Sequence, residues 1–274
     1  MDNFADLTTY QKQAISTILM SDLHLSLCEP ANDVLWQAFF ALLDELLHLP
    51  NLKQVFILGD WFEAWLGDDV AQTDPIQMWL QPMLAKLTKL SNAGCQLYVM
   101  HGNRDFLMGQ KFCDKFGGKL INEPFFFTLN GKKIRLEHGD VLCTDDKSYQ
   151  RFRKVIRYPL TKQILLSLPI KQRQKIANDL RQKSRADNAK KSMHIMDVNA
   201  QAVKNAWQTA DILVHGHTHR PAEHHIDLNH SLTSSKTRLV LGDWRVDKHQ
   251  VEAVIAVGNN RSLQLAKFFH FFKA

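Results

Sequence analysis

The 274-residue sequence predicts an α/β protein carrying one basic, helix-rich insertion, and three observations lead to that reading. Short apolar runs recur along the chain, and each stops abruptly at polar residues. Segments with helical periodicity alternate with these runs, as expected where strands and helices follow one another. The positive charge is gathered into one stretch instead of being spread evenly.

The apolar runs are Ile18-Leu19-Met20, Val55-Phe56-Ile57-Leu58, Leu97-Tyr98-Val99-Met100, Ile134-Arg135-Leu136 and Ile212-Leu213-Val214. Runs this short, ending at polar or glycine residues, are expected to be strands of a sheet covered on both faces. Residues 34–49 and 76–90 have the spacing of helices, and 238–241 and 251–257 read as further strands. The tail carries Phe268, Phe269, Phe271 and Phe272, which would either dock on the sheet or touch a membrane.

Residues 145–200 differ in character. From 147 to 191 there are 14 Lys or Arg against two acids, Asp179 and Asp187, an excess of +12. The whole chain is only +6, so the remainder stands at −6 and the basic character belongs to this segment. Pro159 and Pro169 divide it into short helical pieces, which we read as an inserted helical cap within a domain spanning 15–274. Such a charge excess implies an anionic partner. With 45% hydrophobic and 23% charged residues the composition is that of a water-soluble fold. No apolar run is long enough to span a bilayer, and the N-terminal residues lack the pattern of a secretory signal. A cytoplasmic protein touching a membrane only peripherally is therefore expected. Cys28, Cys95, Cys113 and Cys143 are far apart without a CxxC spacing, so no disulfide framework is expected.

Each of the five runs is followed by residues able to bind a metal, and strand ends are where α/β sheets place their sites. Asp22 and His24 follow the first, Asp60 the second, Asn103 the third, His138 the fourth, and His217 and His219 the fifth. Glycines at 59, 102 and 216 let the chain turn sharply out of the strand. A single Asp-x-His or Gly-Asp pair means little, but five such fragments, DLH, GDW, GNRD, EHGD and GHTH, form a pattern. Two Asp, one Asn and four His exceed the needs of one tetrahedral ion. With Asp60 shared, they supply four protein ligands to each of two ions, and imidazole with carboxylate suits Mn²⁺, Fe²⁺ or Zn²⁺.

This ordered set resembles the calcineurin-like metallophosphoesterases, over residues 18–244. The resemblance implies a β-sandwich flanked by helices. One metal would be held by Asp22, His24, Asp60 and His219, the other by Asp60, Asn103, His138 and His217. Many members have His after the Gly-Asn pair, but here that position is Arg104. A guanidinium stays protonated and binds phosphate oxygens, which suits a leaving group that is already good.

Longer strings narrow the match. GDWFEAWLGDD (59–69), HGNRDFLMG (101–109), EHGDVLCTDDKSYQRFR (137–153), KSMHIMDVN (191–199) and HGHTHRP (215–221) look like the UDP-2,3-diacylglucosamine hydrolases of lipid A synthesis. That resemblance implies cleavage at the α-phosphorus to give UMP and 2,3-diacylglucosamine 1-phosphate, with two divalent ions, Mn²⁺ by family habit. It also implies a monomer lying peripherally on the cytoplasmic face of the inner membrane. Catalytic roles fall to Asp60, Asn103, Arg104 and His217, and substrate contacts to Asn103, Arg104, Asp146, Ser184, Asn188, Lys191 and His217. The basic cap fits a pyrophosphate, and Ile164, Leu165, Leu166, Leu168 and Ile170 are expected either to receive acyl chains or to pack the cap on the core. Trp61, Phe62 and Trp65 shape the site or pack the core, while Asp68 and Asp69 are expected to be solvated loop acids.

Two other readings stay open from sequence. One is a phosphatase or nuclease, although the basic segment lacks the interleaved aromatic residues that stack on bases, and no nucleic-acid partner is expected. The other is a non-catalytic scaffold of the same fold, which would have no reason to keep all seven ligand positions.

Overall fold

The computed structural model describes residues 1–27, 33–188, 195, 197–227 and 235–272. All five apolar runs are strands, but they do not share one sheet. Strands β1 (Asp2–Asn3), β2 (Thr17–Met20), β3 (Gln54–Leu58), β4 (Gln96–Met100), β5 (Gly118–Ile121), β11 (Arg245–Asp247), β12 (Gln250–Gly258) and β13 (Leu263–Phe271) form one sheet in the order β1-β13-β12-β2-β3-β4-β5, with β11 also on β12. Strands β6 (Phe125–Leu129), β7 (Lys132–Leu136), β8 (Ile212–His215), β9 (Ala222–Asp227) and β10 (Ser235–Val240) form a second, ordered β6-β7-β8-β10-β9. Within these sheets β2 to β5 run parallel, and β7, β8 and β10 run parallel. The sheets form the sandwich that the family resemblance implies. An apolar run reports that both faces of a strand are covered, not whether a helix or a second sheet covers them.

The two-residue period of each strand decides which core a side chain enters. From β2 and β3, Ile18, Met20, Val55 and Ile57 turn outward to the core beneath the helices. Leu19, Phe56 and Leu58 turn inward to meet Ile134, Leu136, Ile212 and Val214 of the other sheet. Helix α1 (Phe4–Tyr10) is capped by Asn3, whose side chain accepts from Ala5 N. Helix α2 (Val34–Leu47) starts at Asp33, whose carboxylate accepts from Leu35 N at 2.8 Å. It buries Trp36, Phe39, Leu42, Leu43 and Leu46, the three-and-four spacing of an amphipathic helix. Helix α3 (Ile76–Asn92) buries Leu80, Met83, Leu84, Leu87 and Leu90 on the same layer. On the far side, Val203, Ala206 and Trp207 of helix α8 (Ala200–Trp207) cover Leu213 of β8.

Three helices follow β7 in succession: α5 (Lys147–Ile156), α6 (Pro159–Ser167) and α7 (Ile170–Asn188). Pro159 occupies the first turn of α6, where its missing N–H costs nothing, and Pro169 immediately precedes α7. Arg173 of α7 is 3% exposed; it bonds to the carbonyl of Leu66 and forks onto both carboxylate oxygens of Asp69. Asp68 caps helix α4 (Gln110–Asp114), accepting from Gly109 N at 2.8 Å and Phe112 N at 2.9 Å, and it also takes Trp65 Nε1 at 3.1 Å. Neither acid is simply solvated, as the sequence reading expected, because their partners lie about forty and one hundred residues away.

The Phe-rich tail is β13, paired along its length with β12; Phe268 is buried and Phe271 exposed. Cys95, Cys113 and Cys143 are buried, and Cys28 lies outside the described residues. Among the described residues no helix is long and apolar enough to cross a membrane.

Phe56 is fully buried between the sheets, stacked at 4.7 Å on Tyr98 of its own sheet and at 5.0 Å on Phe127 of the other. Phe56→Ala is expected to destabilise the fold by ~3–5 kcal/mol. Urea denaturation checks this, and a loss below ~1 kcal/mol would contradict the packing described.

Candidate metal centre and the cavity beside it

Asp22 and His24 leave β2, Asp60 leaves β3, Asn103 and Arg104 leave β4, His138 leaves β7, and His217 and His219 leave β8. The two sheets bring these ends to one pole. Asp22, His24 and His219 present ligand atoms within 4.8 Å of one another, as do Asp22, Asp60 and His138. His24 Nε2 is 3.4 Å from His219 Nε2 and 4.0 Å from Asp60 Oδ2. His138 Nε2 is 3.2 Å from Asn103 Oδ1 and 3.8 Å from Asp60 Oδ1. The His217 ring lies edge-on to His138, with centroids 5.0 Å apart.

The backbone that delivers these side chains is unusual. Seven non-glycine residues among those described have positive φ, and five are Asp22 (54°), His24 (51°), Asp60 (51°), His217 (68°) and His219 (55°). Asp and His tolerate this left-handed region better than most residues, though at a cost of ~1–3 kcal/mol each. The turn out of the strand, expected of the glycines alone, is thus shared by the ligands themselves. Glycine is required instead for close approach. A Cβ on Gly102 would sit 2.1 Å from Asp60 Oδ1, and one on Gly216 would sit 2.2 Å from Asp22 Oδ2.

Hydrogen bonds fix the orientation of each group. Asp60 Oδ1 accepts from Arg104 N at 2.9 Å. Asp22 Oδ2 accepts from Ser21 Oγ at 2.6 Å and His217 N at 2.9 Å. Asp22 Oδ1 is buried without a hydrogen-bond partner, 3.4 Å from His219 Nε2. His138 Nδ1 donates to the Leu58 carbonyl at 2.9 Å, which turns Nε2 toward the centre. A buried, unpartnered carboxylate oxygen among imidazoles, an amide and a second carboxylate fits a divalent cation.

The electrostatics are those of closely packed opposite charges. Burial alone would lower His138, but Asp60 and Asp22 outweigh it and hold the imidazole at about 9. His219 is likewise pushed to about 10 against burial by Asp22 and Asp243. Burial would raise Asp22, yet His219, His138 and His24 keep its carboxyl far below the usual range. Burial, aided by the charge of His138, lowers His217 to about 4. Burial and then Asp60 raise Asp105 to about 6; it accepts from Gly102 N at 2.6 Å and Trp61 N at 2.8 Å and does not pair with Arg104.

Several site residues escaped the sequence reading. Asp243 lies 3.3 Å from His219 Nδ1 and orients that ring as a carboxylate behind an imidazole. A signal for it exists, because Leu-Gly-Asp-Trp occurs twice, at 58–61 and 241–244. Phe39 of α2 touches both tryptophans, Trp61 at 6.1 Å and Trp244 at 6.0 Å. Glu63 was also missed; it lies 3.6 Å from His24 Nδ1, 3.0 Å from Arg104 Nη1 and 3.5 Å from Arg181 Nη1.

A cavity of about 330 Å³ adjoins the centre, between residues 103–106, α5 and α7. Asn103, Arg104 and Ser184 line it, as do Phe106, Phe152 and Leu180. The apolar lining therefore comes from α5, α7 and Phe106. Ile164 and Leu166 of α6 are exposed to solvent, and none of the five apolar residues expected around acyl chains borders this cavity. Asp146 caps α5, accepting from Ser148 Oγ at 2.7 Å and Tyr149 N at 3.0 Å. The Tyr149 ring lies over His217 at 6.2 Å. Asn188 is the last residue of α7, and Lys191 lies outside the described residues. Trp61, Phe62 and Trp65 are buried in an aromatic cluster with Phe112, so they pack the core beneath the ligands. A larger cavity, about 600 Å³, lies near Thr17, Gln54 and Asn130 and contains none of the predicted site residues.

Strand ends from two stacked sheets gather these Asp, Asn and His side chains at one pole, and residues 15–221 match the model of the calcineurin-like phosphoesterases. The chain belongs to that family of metal-dependent hydrolases. Among curated relatives, the UDP-2,3-diacylglucosamine hydrolases of Yersinia pseudotuberculosis serotype O:1b and of Yersinia pestis bv. Antiqua (strain Angola) are each 42% identical over 240 residues, 87% of this chain and 95% of theirs. The solved structure of Vacuolar Protein Sorting 29 from Cryptosporidium parvum covers 94% of this chain and 99% of its own at 14% identity and a TM-score of 0.39, too distant to bear on the site.

The titration pattern has a testable sign. His138 and His219, held at about 9 and about 10 against an ordinary 6.5, stabilise the metal-free fold fully below pH 6.5 and lose that contribution as pH rises through 9 to 10. His217 and His215, lowered to about 4, act oppositely and destabilise as pH falls from 6.5 toward 4. Chelator-treated protein should therefore be most stable near pH 6.5, as followed by urea denaturation between pH 4 and 10. A profile flat above pH 7 would contradict the carboxylate–imidazole arrangement.

Proposed function

We propose that the chain hydrolyses the pyrophosphate of UDP-2,3-diacylglucosamine at the α-phosphorus, releasing UMP and 2,3-diacylglucosamine 1-phosphate for lipid A synthesis. The observation that carries this reading is the half-apolar cavity opening against Arg104 and Asn103 beside the ligand cluster. A plain phosphomonoesterase has no use for such a compartment, and the relatives named for this substrate are alike over nearly their whole length.

In this reading Asp22, His24, Asp60 and His219 hold one divalent ion, and Asp60, Asn103, His138 and His217 hold the other, with Mn²⁺ the expected metal. Asp22 is common to both compact groups, but its Oδ2 accepts from two donors, Ser21 Oγ and His217 N, whereas Asp60 Oδ1 accepts from Arg104 N alone and keeps a lone pair. Asp60 instead turns Oδ2 toward His24 and Oδ1 toward His138, which supports it as the bridge. When bound, the ions supply Lewis-acid activation of water and of phosphoryl oxygens. Arg104, steadied by Glu63, binds the charge growing on the phosphate and transfers no proton. The helices 147–188 act as a cap. Phe152 and Leu180 receive the lipid portion, while Ser184 and Arg181 face its polar part. Val155, Tyr158, Leu160 and Ile164 stand exposed along α5 and α6, close in sequence to the exposed Arg151 and Lys154, supporting peripheral contact with an anionic membrane on its cytoplasmic face.

Assaying UDP-2,3-diacylglucosamine, an aryl phosphomonoester and single-stranded DNA side by side, with metal analysis, tests the reading. Preference for either of the last two would overturn it. Asp60→Ala should abolish activity more completely than loss of any unshared ligand, so a half-active variant retaining both metals would remove the bridging role. Arg104→Ala should lower the rate by ~10²–10³ with the shape of the pH–rate profile unchanged, and Arg104→Lys should recover part of the loss. Disappearance of a titrating limb would mean that Arg104 supports proton transfer after all.

A further inference from the structure

Among the described residues, buried guanidiniums join the cap to the body at two places, Arg173 on α7 and the Arg153–Arg157 pair on α5, while the half-exposed Arg181 of α7 reaches Glu63 at 3.5 Å. Arg173 pins α7 to the 66–69 loop through the Leu66 carbonyl and the Asp69 carboxylate, neither of which belongs to a predicted ligand or bonds to one. The other anchor belongs to α5. Arg157, at its C-terminal end, donates from Nη2 to the Gly102 carbonyl at 2.9 Å and to Asp140 Oδ2 at 3.1 Å, and from Nη1 to Glu123 Oε1 at 3.0 Å. Arg153, one turn earlier, donates to Asp140 Oδ2 from Nε at 2.8 Å and to Glu123 Oε1 from Nη2. Tyr149 Oη donates to the same Asp140 oxygen at 2.6 Å, and Gln150 Nε2 donates to the Asp140 carbonyl at 2.7 Å.

Each acceptor is a neighbour of a predicted ligand. Gly102 precedes Asn103. Glu123 uses its second oxygen to accept from His138 N at 3.1 Å. Asp140 follows His138 by two residues across Gly139, where a Cβ would meet the Gly216 carbonyl at 2.9 Å and His217 Cβ at 3.3 Å. Asp140 is fully buried and Glu123 nearly so, and two guanidiniums neutralise them. Charge pairs this enclosed contribute little net stability compared with apolar packing, but breaking one leaves an unpaired buried charge, so the arrangement is held to a single geometry.

We propose that Arg157, with Arg153, is a positioning residue that couples the seating of α5 to occupancy of the metal position formed by Asn103, His138 and His217. The proposal rests on the two-metal reading above. Coupling of this kind is reciprocal. A docked α5 holds the ligands where an ion binds tightly, and a bound ion makes α5 harder to lift by the same free energy.

The test uses the full-length protein. Mn²⁺ titration of chelator-treated wild type and Arg157→Gln should show the more weakly held ion losing ~10–100-fold in affinity, the usual cost of removing a partner behind a ligand. Arg157→Lys should fall between the two. Arg173→Gln, which loosens the other anchor, should leave Mn²⁺ affinity within ~2-fold. Hydrogen exchange should show Mn²⁺ slowing the amides of 147–156 in wild type and much less in Arg157→Gln. Tyr149→Phe removes only one hydroxyl from Asp140 and gives the same direction at smaller size, should the glutamine variant fail to fold. A wild type that binds neither Mn²⁺, Fe²⁺ nor Zn²⁺ overturns the metal assignment and the coupling with it. Wild type and Arg157→Gln binding Mn²⁺ equally, or Arg173→Gln losing as much affinity as Arg157→Gln, overturns the coupling alone.

Discussion

The site depends first on how closely the chain passes itself where β3 and β4 end. Asp60 Oδ1 occupies the place a side chain at 102 would need, and a Cβ on Gly59 would meet Gly102 Cα and His138 Nδ1, each at 2.6 Å. Two glycines therefore allow three segments to interpenetrate, and the carboxylate of Asp60 fills the space between them. Asp105 closes the arrangement from below by accepting from Gly102 N and Trp61 N, which locks both turns to one buried carboxyl. Repulsion from Asp60 and burial make that carboxyl hard to ionise. The centre is thus held by backbone proximity, and its polar groups follow from that constraint.

Charge has been concentrated where the fold least easily accommodates it. Two carboxylates and four imidazoles share one pole; the carboxylates push His138 and His219 up, while burial first and the charge of His138 second bring His217 down. A second set of charges, around Asp140 and Glu123, lies one layer outward beneath α5. Five of the predicted ligands, held in left-handed backbone, add strain to that concentration of charge. Such a pole is expensive to assemble, and the broad apolar layers between and outside the sheets offset the cost.

Much of this was legible in the chain. The five strand ends and the Asp, Asn and His side chains that meet at them follow from short apolar runs stopping at those residues, since periodicity and side-chain chemistry are both local. Helices α2 and α3 were legible for the same reason. The division of the strands between two sheets was not, because residues such as Leu136 and Leu19 look alike in sequence although they come from opposite sides of one interface. Partners distant in sequence were equally hidden. Asp69 meets Arg173 and Glu123 meets Arg157 across spans no local pattern can bridge. Asp243 lay between these cases: its Leu-Gly-Asp-Trp repeats the string around Asp60, yet the repetition acquires meaning only when Asp60 is seen beside His24 and Asp243 beside His219, imidazoles whose Nε2 atoms are 3.4 Å apart. Whether the apolar residues at 164–170 line acyl chains or pack the cap stayed open in sequence, because apolar spacing identifies a helix face without saying what it faces; none of the five borders the cavity beside the centre.

Phe39 gives the core an unexpected relation to the chemistry. Its ring sits against Trp61 on one side and Trp244 on the other, each the residue after an aspartate of the polar pole. A residue of helix α2 that touches no ligand thereby sets the spacing between the two Leu-Gly-Asp-Trp turns. Loosening this aromatic wedge, by warming or by a smaller side chain, would let the turns drift apart by fractions of an ångström while both sheets remain paired. The centre would lose its register ahead of the fold, so loss of function on heating would report the tightness of the core earlier than any spectroscopic melting curve.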